Sequence, residues 1–236
     1  MTKNVCALAL PILYWLFTGS ASALIKCPAN GDPATIPPGC EVGTPGCKEV
    51  PCASPIIVDT DGKGFHLTSA EDGVLFDISG SGRPLQMAWT AAGSTNAFLA
   101  LPHNGAILSG KDLFGNFTPQ HASDHPNGFI ALAEYDKPEH GGNGDGVIDQ
   151  TDEIFFSLRL WIDKNHDGVA QPVEMFTLPE LGVFSISLRY REARREDSYG
   201  NLFRYKGRVN LIDPNEPDSK AGPLAYDVFF EAVSSH

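Results

Sequence analysis

Two acidic, glycine-containing segments separated by only ten residues constrain the fold of this 236-residue chain more than any other feature. The second segment, at 163–174, is DKNHDGVAQPVE. Calcium takes six to eight oxygen ligands, and an EF-hand loop supplies them from positions 1, 3, 5, 7, 9 and 12 with glycine at position 6. The segment matches every one of these positions, so it predicts a calcium loop rather than an acidic, solvated turn. The predicted ligands are Asp163, Asn165, Asp167, the Val169 carbonyl, Gln171 and Glu174.

The first segment, at 136–152, matches the same pattern less completely. Position 1 falls on Gly141, which has no side chain, so Asp136 is its substitute if KPEHGG forms an insertion. Position 12 is an aspartate, one methylene shorter than glutamate, which predicts a weaker site. The predicted ligands are Asp136, Asn143, Asp145, the Val147 carbonyl, Asp149 and Asp152.

The ten residues between the loops, EIFFSLRLWI, place apolar side chains at helical spacing. The expectation is a single helix of about three turns, roughly 15 Å long, that serves both loops. Such an arrangement does not form the face-to-face pair of a calcium sensor, whose helices open on binding. We therefore expect calcium to be structural rather than sensory.

The flanks of this centre have strand and turn patterns. A second short helix is predicted in NGFIALAEY, and the region 183–233 is predicted to form β-hairpins, with VFSISLRYR pairing with LFRYKGRVNLI. The predicted fold class is α+β, with β-hairpin-rich flanks around a helical centre in which two EF-hand-like calcium loops share one helix. This domain is expected to cover residues 55–236.

Residues 1–23 are interpreted as a secretory signal peptide. Lys3 precedes a short apolar run, and small residues at Ala21 and Ala23 mark a cleavage site. A membrane anchor is the alternative, but the run is shorter than the roughly 20 residues needed to span a bilayer. A lipoprotein at Cys27 is disfavoured because Lys26 stands where small residues are expected. The predicted location is secreted: extracellular, at the cell surface or periplasmic, with no membrane span once the signal is removed.

Residues 24–54 form a segment rich in cysteine, proline and glycine. Four cysteines in a short exported segment favour two disulfides over a zinc site, although three pairings are compatible with the sequence. The candidates are Cys27, Cys40, Cys47 and Cys52.

The net charge of −12 argues against general binding to nucleic acid or anionic membranes. Basic residues nevertheless gather between Arg189 and Arg208. They are interpreted as a solvated sheet face, or as a docking surface for an acidic polysaccharide or an extracellular protein. No common catalytic motif occurs. The primary hypothesis is therefore a secreted, non-enzymatic calcium-binding protein; a calcium-dependent adhesion or matrix protein is the alternative, and a secreted hydrolase is a remote one.

Three further acidic turns only partly match the loop pattern. DTDGKG begins with Asp59 and Asp61 but has Lys63 at position 5, and DISGSG has serines after Asp77. The third retains Asn104 and Asp112. All three are interpreted as turns rather than calcium sites.

From SPIIVDTDGKGFHLT through the two loops to TLPELGV, the sequence resembles EF-hand-type calcium-binding modules of bacterial secreted and surface proteins. The resemblance covers residues from about 54 to 205 and is most specific in the two loops. It implies calcium binding and export but no reaction. The earlier turns in such modules often have the pattern D-x-D-G-D-G, from which Lys63, Ser79 and Ser81 depart.

Overall fold

The computed structural model describes residues 24–25, 52–210 and 223–233, and within them β-strands predominate. Among these residues there is one α-helix, α1 (Gly128–Ala133), and it is capped by Asn127, whose side chain accepts hydrogen bonds from the Phe129 and Ile130 amides. Short 3₁₀ turns link several of the strands. The strands are β1 (Leu24–Ile25), β2 (Ile56–Asp59), β3 (Val74–Phe76), β4 (Leu85–Met87), β5 (Asn96–Ala100), β6 (Val147–Asp149), β7 (Arg159–Trp161), β8 (Met175–Phe176), β9 (Ser185–Ser187), β10 (Arg191–Glu196), β11 (Leu202–Arg208), β12 (Leu224–Phe229) and β13 (Ala232–Val233).

The strands form three antiparallel sheets. The largest has the order β10-β11-β12-β2-β5-β7-β8, a second has the order β1-β13-β4-β3, and β6 pairs with β9. Side chains of the large sheet alternate between two hydrophobic clusters: Ile56 and Val58 face one cluster, whereas Ile57 faces the other. The central strands of the large sheet are therefore buried on both faces. Helix α1 and the β6–β9 pair contribute to the first cluster, and the four-stranded sheet contributes to the second.

The prediction of a helical centre is wrong. The stretch expected to form one shared helix forms a 3₁₀ turn at Glu153–Phe156 and then strand β7, which pairs with β5 and β8. Leu158, Leu160 and Ile162 pack into the first cluster, and Trp161 packs into the second. Because a strand buried on both faces is apolar at nearly every position, its period of two is easily mistaken for helical spacing. The loops are therefore not EF-hands, and the chain is a β-sheet protein.

The expected C-terminal hairpin also differs from the structure. Strand β11 pairs with β10, which lies largely in the charged link between the two segments expected to pair, and β9 pairs with β6 instead. The turn itself lies at 197–200, where the Gly200 amide donates to the Asp197 carbonyl. Strand β10 is at the edge of its sheet, where charged residues are common because they discourage pairing with other chains. The charged segment Arg191–Glu196 is therefore an edge strand rather than part of a loop.

Several predictions fall on residues outside the described ranges. These are the signal peptide at 1–23, most of the segment 24–54, and Cys27, Cys40 and Cys47. Cys52 is described and buried, and the disulfides stay a prediction. None of the helices in the described part of the chain is long and apolar enough to cross a membrane.

Asp227 of β12 carries a buried carboxylate that makes the stability of the fold depend on pH. Its Oδ2 accepts a hydrogen bond from the Gly128 amide at the start of α1. Burial raises its pKa from 3.8 to about 6, against the lowering effects of Ser54, the Gly128 amide and Arg204. Because the folded pKa exceeds the unfolded one, the stabilising effect of the proton is fully present below about pH 4 and is lost as the pH rises through about 6.

We expect the Asp227→Asn variant to lose this part of the pH dependence. The difference between 3.8 and about 6 corresponds to about 3 kcal/mol. Urea unfolding of both proteins in chelator, from about pH 4 to about pH 7, measures it. The wild-type free energy of unfolding should fall relative to that of the variant across this range. Parallel pH profiles would show that Asp227 is not the responsible group.

Candidate metal centre

The second loop, 163–174, is the connection of a β-hairpin. Strand β7 ends at Trp161, strand β8 begins at Met175, and these two residues pair directly. The Ile162 amide donates to the Glu174 carbonyl at 3.0 Å and closes the base of the loop. The first and twelfth positions of the loop are therefore held side by side by the sheet.

Asp163 is 1% exposed and accepts three hydrogen bonds. Its Oδ1 accepts from the Asp167 amide at 3.2 Å, and its Oδ2 accepts from the Gly168 amide at 2.9 Å. The third donor is the indole nitrogen of Trp89, at 2.8 Å from Oδ2. Gly168 has φ of 72°, a conformation that favours glycine and that turns its amide toward Asp163.

Glu174 is 3% exposed and reaches back across the same loop. Its Oε1 accepts from the Lys164 amide at 2.9 Å and from the Asn165 amide at 3.4 Å. Its Oε2 lies 3.4 Å from both the Gln171 amide and the indole nitrogen of Trp161. The first and the last of the predicted ligands therefore both accept hydrogen bonds from backbone amides within one loop.

The remaining predicted ligands of the second loop gather around Asp167. Its Oδ1 accepts from the Val169 amide at 2.8 Å, and its Oδ2 accepts from the side-chain amides of Asn165 and Gln171, both at 2.8 Å. The oxygen and nitrogen of such an amide are exchanged by a 180° rotation, which would turn both oxygens toward the same point. The Val169 side chain is exposed, as suits a residue that would contribute only its carbonyl.

The first loop, 136–152, recruits Asp136 from outside the contiguous pattern. The intervening residues form a 3₁₀ turn at Pro138–His140, and Asp136 is 8% exposed. Its Oδ1 accepts from the Gly144 amide at 3.1 Å and its Oδ2 from the Gly146 amide at 2.9 Å. Asp136 thus takes the place that Asp163 has in the second loop.

Asp145 and Asp152 complete the parallel between the loops. Asp145 accepts from the Val147 amide at 2.9 Å and from the side-chain amide of Asn143 at 3.0 Å. Asp152, 1% exposed, accepts from the Asn143 amide at 3.2 Å and the Asp149 amide at 2.8 Å. In both loops, the carboxylate at position 12 therefore accepts hydrogen bonds from the backbone amides of positions 3 and 9. The carboxylate at position 5 accepts from the backbone amide of position 7 and from the side-chain amide of position 3. Asp149 itself accepts from Thr151.

Four buried carboxylates in these loops lack a basic partner. Within the described residues, no ion pair involves Asp136, Asp152, Asp163 or Glu174, and their hydrogen-bond donors are neutral amides and indoles. Burial raises the pKa of Asp152, and the nearby charges of Asp136 and Asp145 raise it further, against two amide hydrogen bonds. At Asp167, burial is outweighed by hydrogen bonds from Val169, Gln171 and Asn165, and the pKa is lowered.

The donor set suits a hard cation better than a transition metal. No cluster of three or more His, Cys, Asp or Glu side chains that meets the geometry of a metal site is found in the described part of the chain. Amide and backbone carbonyl oxygens, which calcium accepts as readily as carboxylates, make up the rest of each predicted set. The residues of the two loops therefore fit calcium by chemistry.

The other predicted surfaces differ from the two loops. Asp112 accepts hydrogen bonds from the Leu108 and Ser109 amides and from His103, so it stabilises its own turn. Of the basic residues between Arg189 and Arg208, Arg204 is 3% exposed and lies over aromatic rings. Strand β10 carries two glutamates beside its three exposed arginines, and Arg194 pairs with Glu192. The basic residues do not form one continuous outward face.

The sequence did not predict that two tryptophans of the core bond the second loop. Trp89 and Trp161 are fully buried, their ring centroids lie 5.6 Å apart, and each directs its indole N–H to one end of the second loop. Trp89 is 74 residues from Asp163 in sequence. Only the pairing of the sheets brings them together, so no local pattern indicates this contact.

The chain is similar to a domain family and to a longer bacterial protein. The model of the SPM domain family matches residues 56–222, a range that contains both loops. The iron-regulated protein FrpA of Neisseria meningitidis serogroup C is 35% identical over 162 residues. That match covers 67% of this chain and 14% of FrpA, so the chain corresponds to a small part of that relative.

Proposed function

Since this chain belongs to the SPM domain family, as the match over residues 56–222 shows, we propose that the family's domain here is a calcium-binding module. In this proposal the chain is exported, as its apolar leader indicates, and calcium is structural. The ions stabilise the connections at 136–152 and 163–174, and through them the sheets.

One observation carries the proposal. Each loop buries two carboxylates, at its first and twelfth positions, and the hydrogen-bond donors to these carboxylates are all neutral. Burying an ionised carboxylate is costly unless a positive charge compensates for it. A divalent cation would neutralise both charges of a loop and would add stability by binding only the folded state. Amide donors orient these carboxylates in advance, which reduces the cost of ordering the site.

The hairpin setting of the second loop favours a structural role. Asp163 comes shortly after β7 and Glu174 directly before β8, and these two strands pair with each other. Among the described residues, the only helical element beside either of them is the single 3₁₀ turn Pro172–Glu174, and no α-helix adjoins them that a bound ion could reorient. A cation at this loop would fix the β7–β8 connection and the indoles of Trp89 and Trp161 beneath it. Calcium-dependent adhesion gains no support here because Arg204 is buried and β10 carries both charges.

Thermal unfolding with calcium and with chelator tests the proposal. At a calcium concentration 100-fold above the dissociation constant, the stabilisation is about 2.7 kcal/mol per site. For a domain of this size, that corresponds to an increase in Tm of roughly 5–10 °C. We expect Glu174→Gln to lose the larger part of this increase and Asp152→Asn the smaller part, since the shorter Asp152 predicts a weaker site.

Asp124→Asn is the matched control because this exposed carboxylate lies outside both loops. It should retain the full response to calcium. Equal melting temperatures with calcium and with chelator in the wild-type protein would contradict the proposal. A response that magnesium reproduces at equal concentration would contradict the assignment of calcium.

A further inference from the structure

The turn at 59–64, DTDGKG, has the hydrogen-bond pattern of the two loops although it lacks their full set of ligands. Asp59 Oδ2 accepts from the Gly64 amide at 2.9 Å, the distance found between Asp163 Oδ2 and the Gly168 amide. Asp61 Oδ1 accepts from the Lys63 amide at 3.1 Å, as Asn143 accepts from Asp145 in the first loop. The turn therefore repeats two of the hydrogen bonds that shape the backbone of the loops.

Lys63 stands where the two loops have Asp145 and Asp167. Its ammonium nitrogen lies 2.9 Å from Asp61 Oδ2, so a positive charge bonds the acidic residue at position 3 of the turn. In the two loops, the side chain at position 5 is instead a carboxylate that accepts from a neutral amide. The nearby lysines bond elsewhere: Lys137 donates to Glu134, and Lys164 lies over the Phe176 ring.

Asp59 supplies an independent sign that this turn is built for a cation. Its side chain is 4% exposed, and its Oδ1 has no hydrogen-bond partner among the described residues. Asp61 is close enough to raise the pKa of Asp59, after the larger effect of burial and against hydrogen bonds from Gly64 and Gly62. Two neighbouring carboxylates, one of them buried, need a compensating positive charge. The Lys63 ammonium supplies this charge through its bond to Asp61 and does not bond Asp59 Oδ1.

The turn at 77–82 repeats this combination with a lysine from elsewhere in the chain. Asp77 Oδ1 accepts from the Ser81 amide and its Oδ2 from the Gly82 amide, but positions 3 and 5 are serines. The Lys111 side chain lies over Gly80, and its ammonium donates to the Gly80 carbonyl at 3.1 Å. The turns at 59–64 and 77–82 thus each have a lysine ammonium bonded to one of their oxygens.

We propose that the ammonium of Lys63 takes the place of a metal ion in the 59–64 turn, which holds its shape through a covalently attached cation and independently of calcium. The turn directly follows β2 and bonds to the segment before β5 through the Thr60 hydroxyl and the Thr95 carbonyl. It therefore fixes one end of the two central strands of the large sheet. This inference rests on the proposed function only in comparing the turn with the two loops as calcium sites.

Replacing the Lys63 ammonium by an oxygen ligand tests this inference. Lys63→Asp restores an oxygen donor at position 5, and we expect it to bind one calcium ion more than the wild-type protein. Equilibrium dialysis at about 10 mM calcium, above the 10⁻⁴–10⁻³ M typical of extracellular modules, counts the ions. Lys63→Met keeps the chain length without charge or ligand. It should bind no additional ion and should melt below the wild type in chelator, a deficit that calcium does not correct.

Two results would overturn the inference. One is an equal ion count for Lys63→Asp and the wild type in folded protein. The other is a wild-type protein that loses one calcium ion on Asp61→Asn, because the turn would then bind metal despite Lys63. If the wild type binds no calcium and Lys63→Asp binds one, the inference stands and the proposed function fails.

Discussion

Replacing Asp163 by alanine is expected to lower the free energy of unfolding by about 3–5 kcal/mol even in chelator. The change removes the acceptor for the Trp89 indole, the Asp167 amide and the Gly168 amide, and each buried donor left without a partner costs about 1–3 kcal/mol. In calcium the difference should widen, because the stabilisation of about 2.7 kcal/mol at 100-fold saturation is lost as well. Urea unfolding with and without calcium measures both parts.

The Asp163→Asn variant separates the two parts. It retains a similar shape and one oxygen acceptor, so it should cost less in chelator while still losing most of the calcium response. Asp124→Ala is the matched control, since this exposed aspartate lies outside both loops. An Asp163→Ala protein that calcium stabilises as strongly as it stabilises the wild type would refute the assignment of Asp163 as a ligand.

Replacing Trp89 by alanine is expected to be comparably severe. Its fully buried ring packs against Phe76, Phe98, Trp161 and Phe230, with centroid distances between 4.4 and 5.8 Å. Truncation of a buried aromatic residue to alanine costs about 3–5 kcal/mol through lost burial and the cavity that remains. We expect the variant to unfold at a denaturant concentration well below that of the wild type, or not to fold at all.

The Trp89→Phe variant tests the role of the indole N–H separately. It keeps most of the ring packing but removes the donor to Asp163 Oδ2. Calcium affinity, followed through the fluorescence of Trp161, should weaken several-fold because Asp163 loses a fixed orientation. Phe76→Leu is the control, since it alters the same cluster without a hydrogen bond to the loop. An equal loss of affinity in the control would show that packing alone is responsible.

The loop geometry could be predicted from the sequence because it is local. The spacing of Asp163, Asp167 and Gly168 determines which amides a carboxylate at the first position can reach, and those hydrogen bonds are present. The spacing also indicated that Asp136 would be needed if KPEHGG formed an insertion, and the structure places Asp136 on the Gly144 and Gly146 amides. Both features depend on contacts within about ten residues.

The architecture around the loops was not predicted because it depends on long-range pairing. EIFFSLRLWI is apolar on both faces, and only its position between β5 and β8 makes Arg159–Trp161 a strand. Likewise, the charged segment Arg191–Glu196 is a strand because β11 provides a partner and Phe203 lies beneath Arg195. The contacts of Trp89 and Trp161 with the second loop depend on the same pairing. A single sequence contains no local signal for any of these.

The number of calcium ions bound per chain tests the central claim most directly. Equilibrium dialysis of the exported chain at about 10 mM calcium should give two ions, with half-saturation at roughly 10⁻⁴–10⁻³ M and the tighter site lost on Glu174→Gln. A folded wild-type protein that retains no calcium at this concentration would contradict the account.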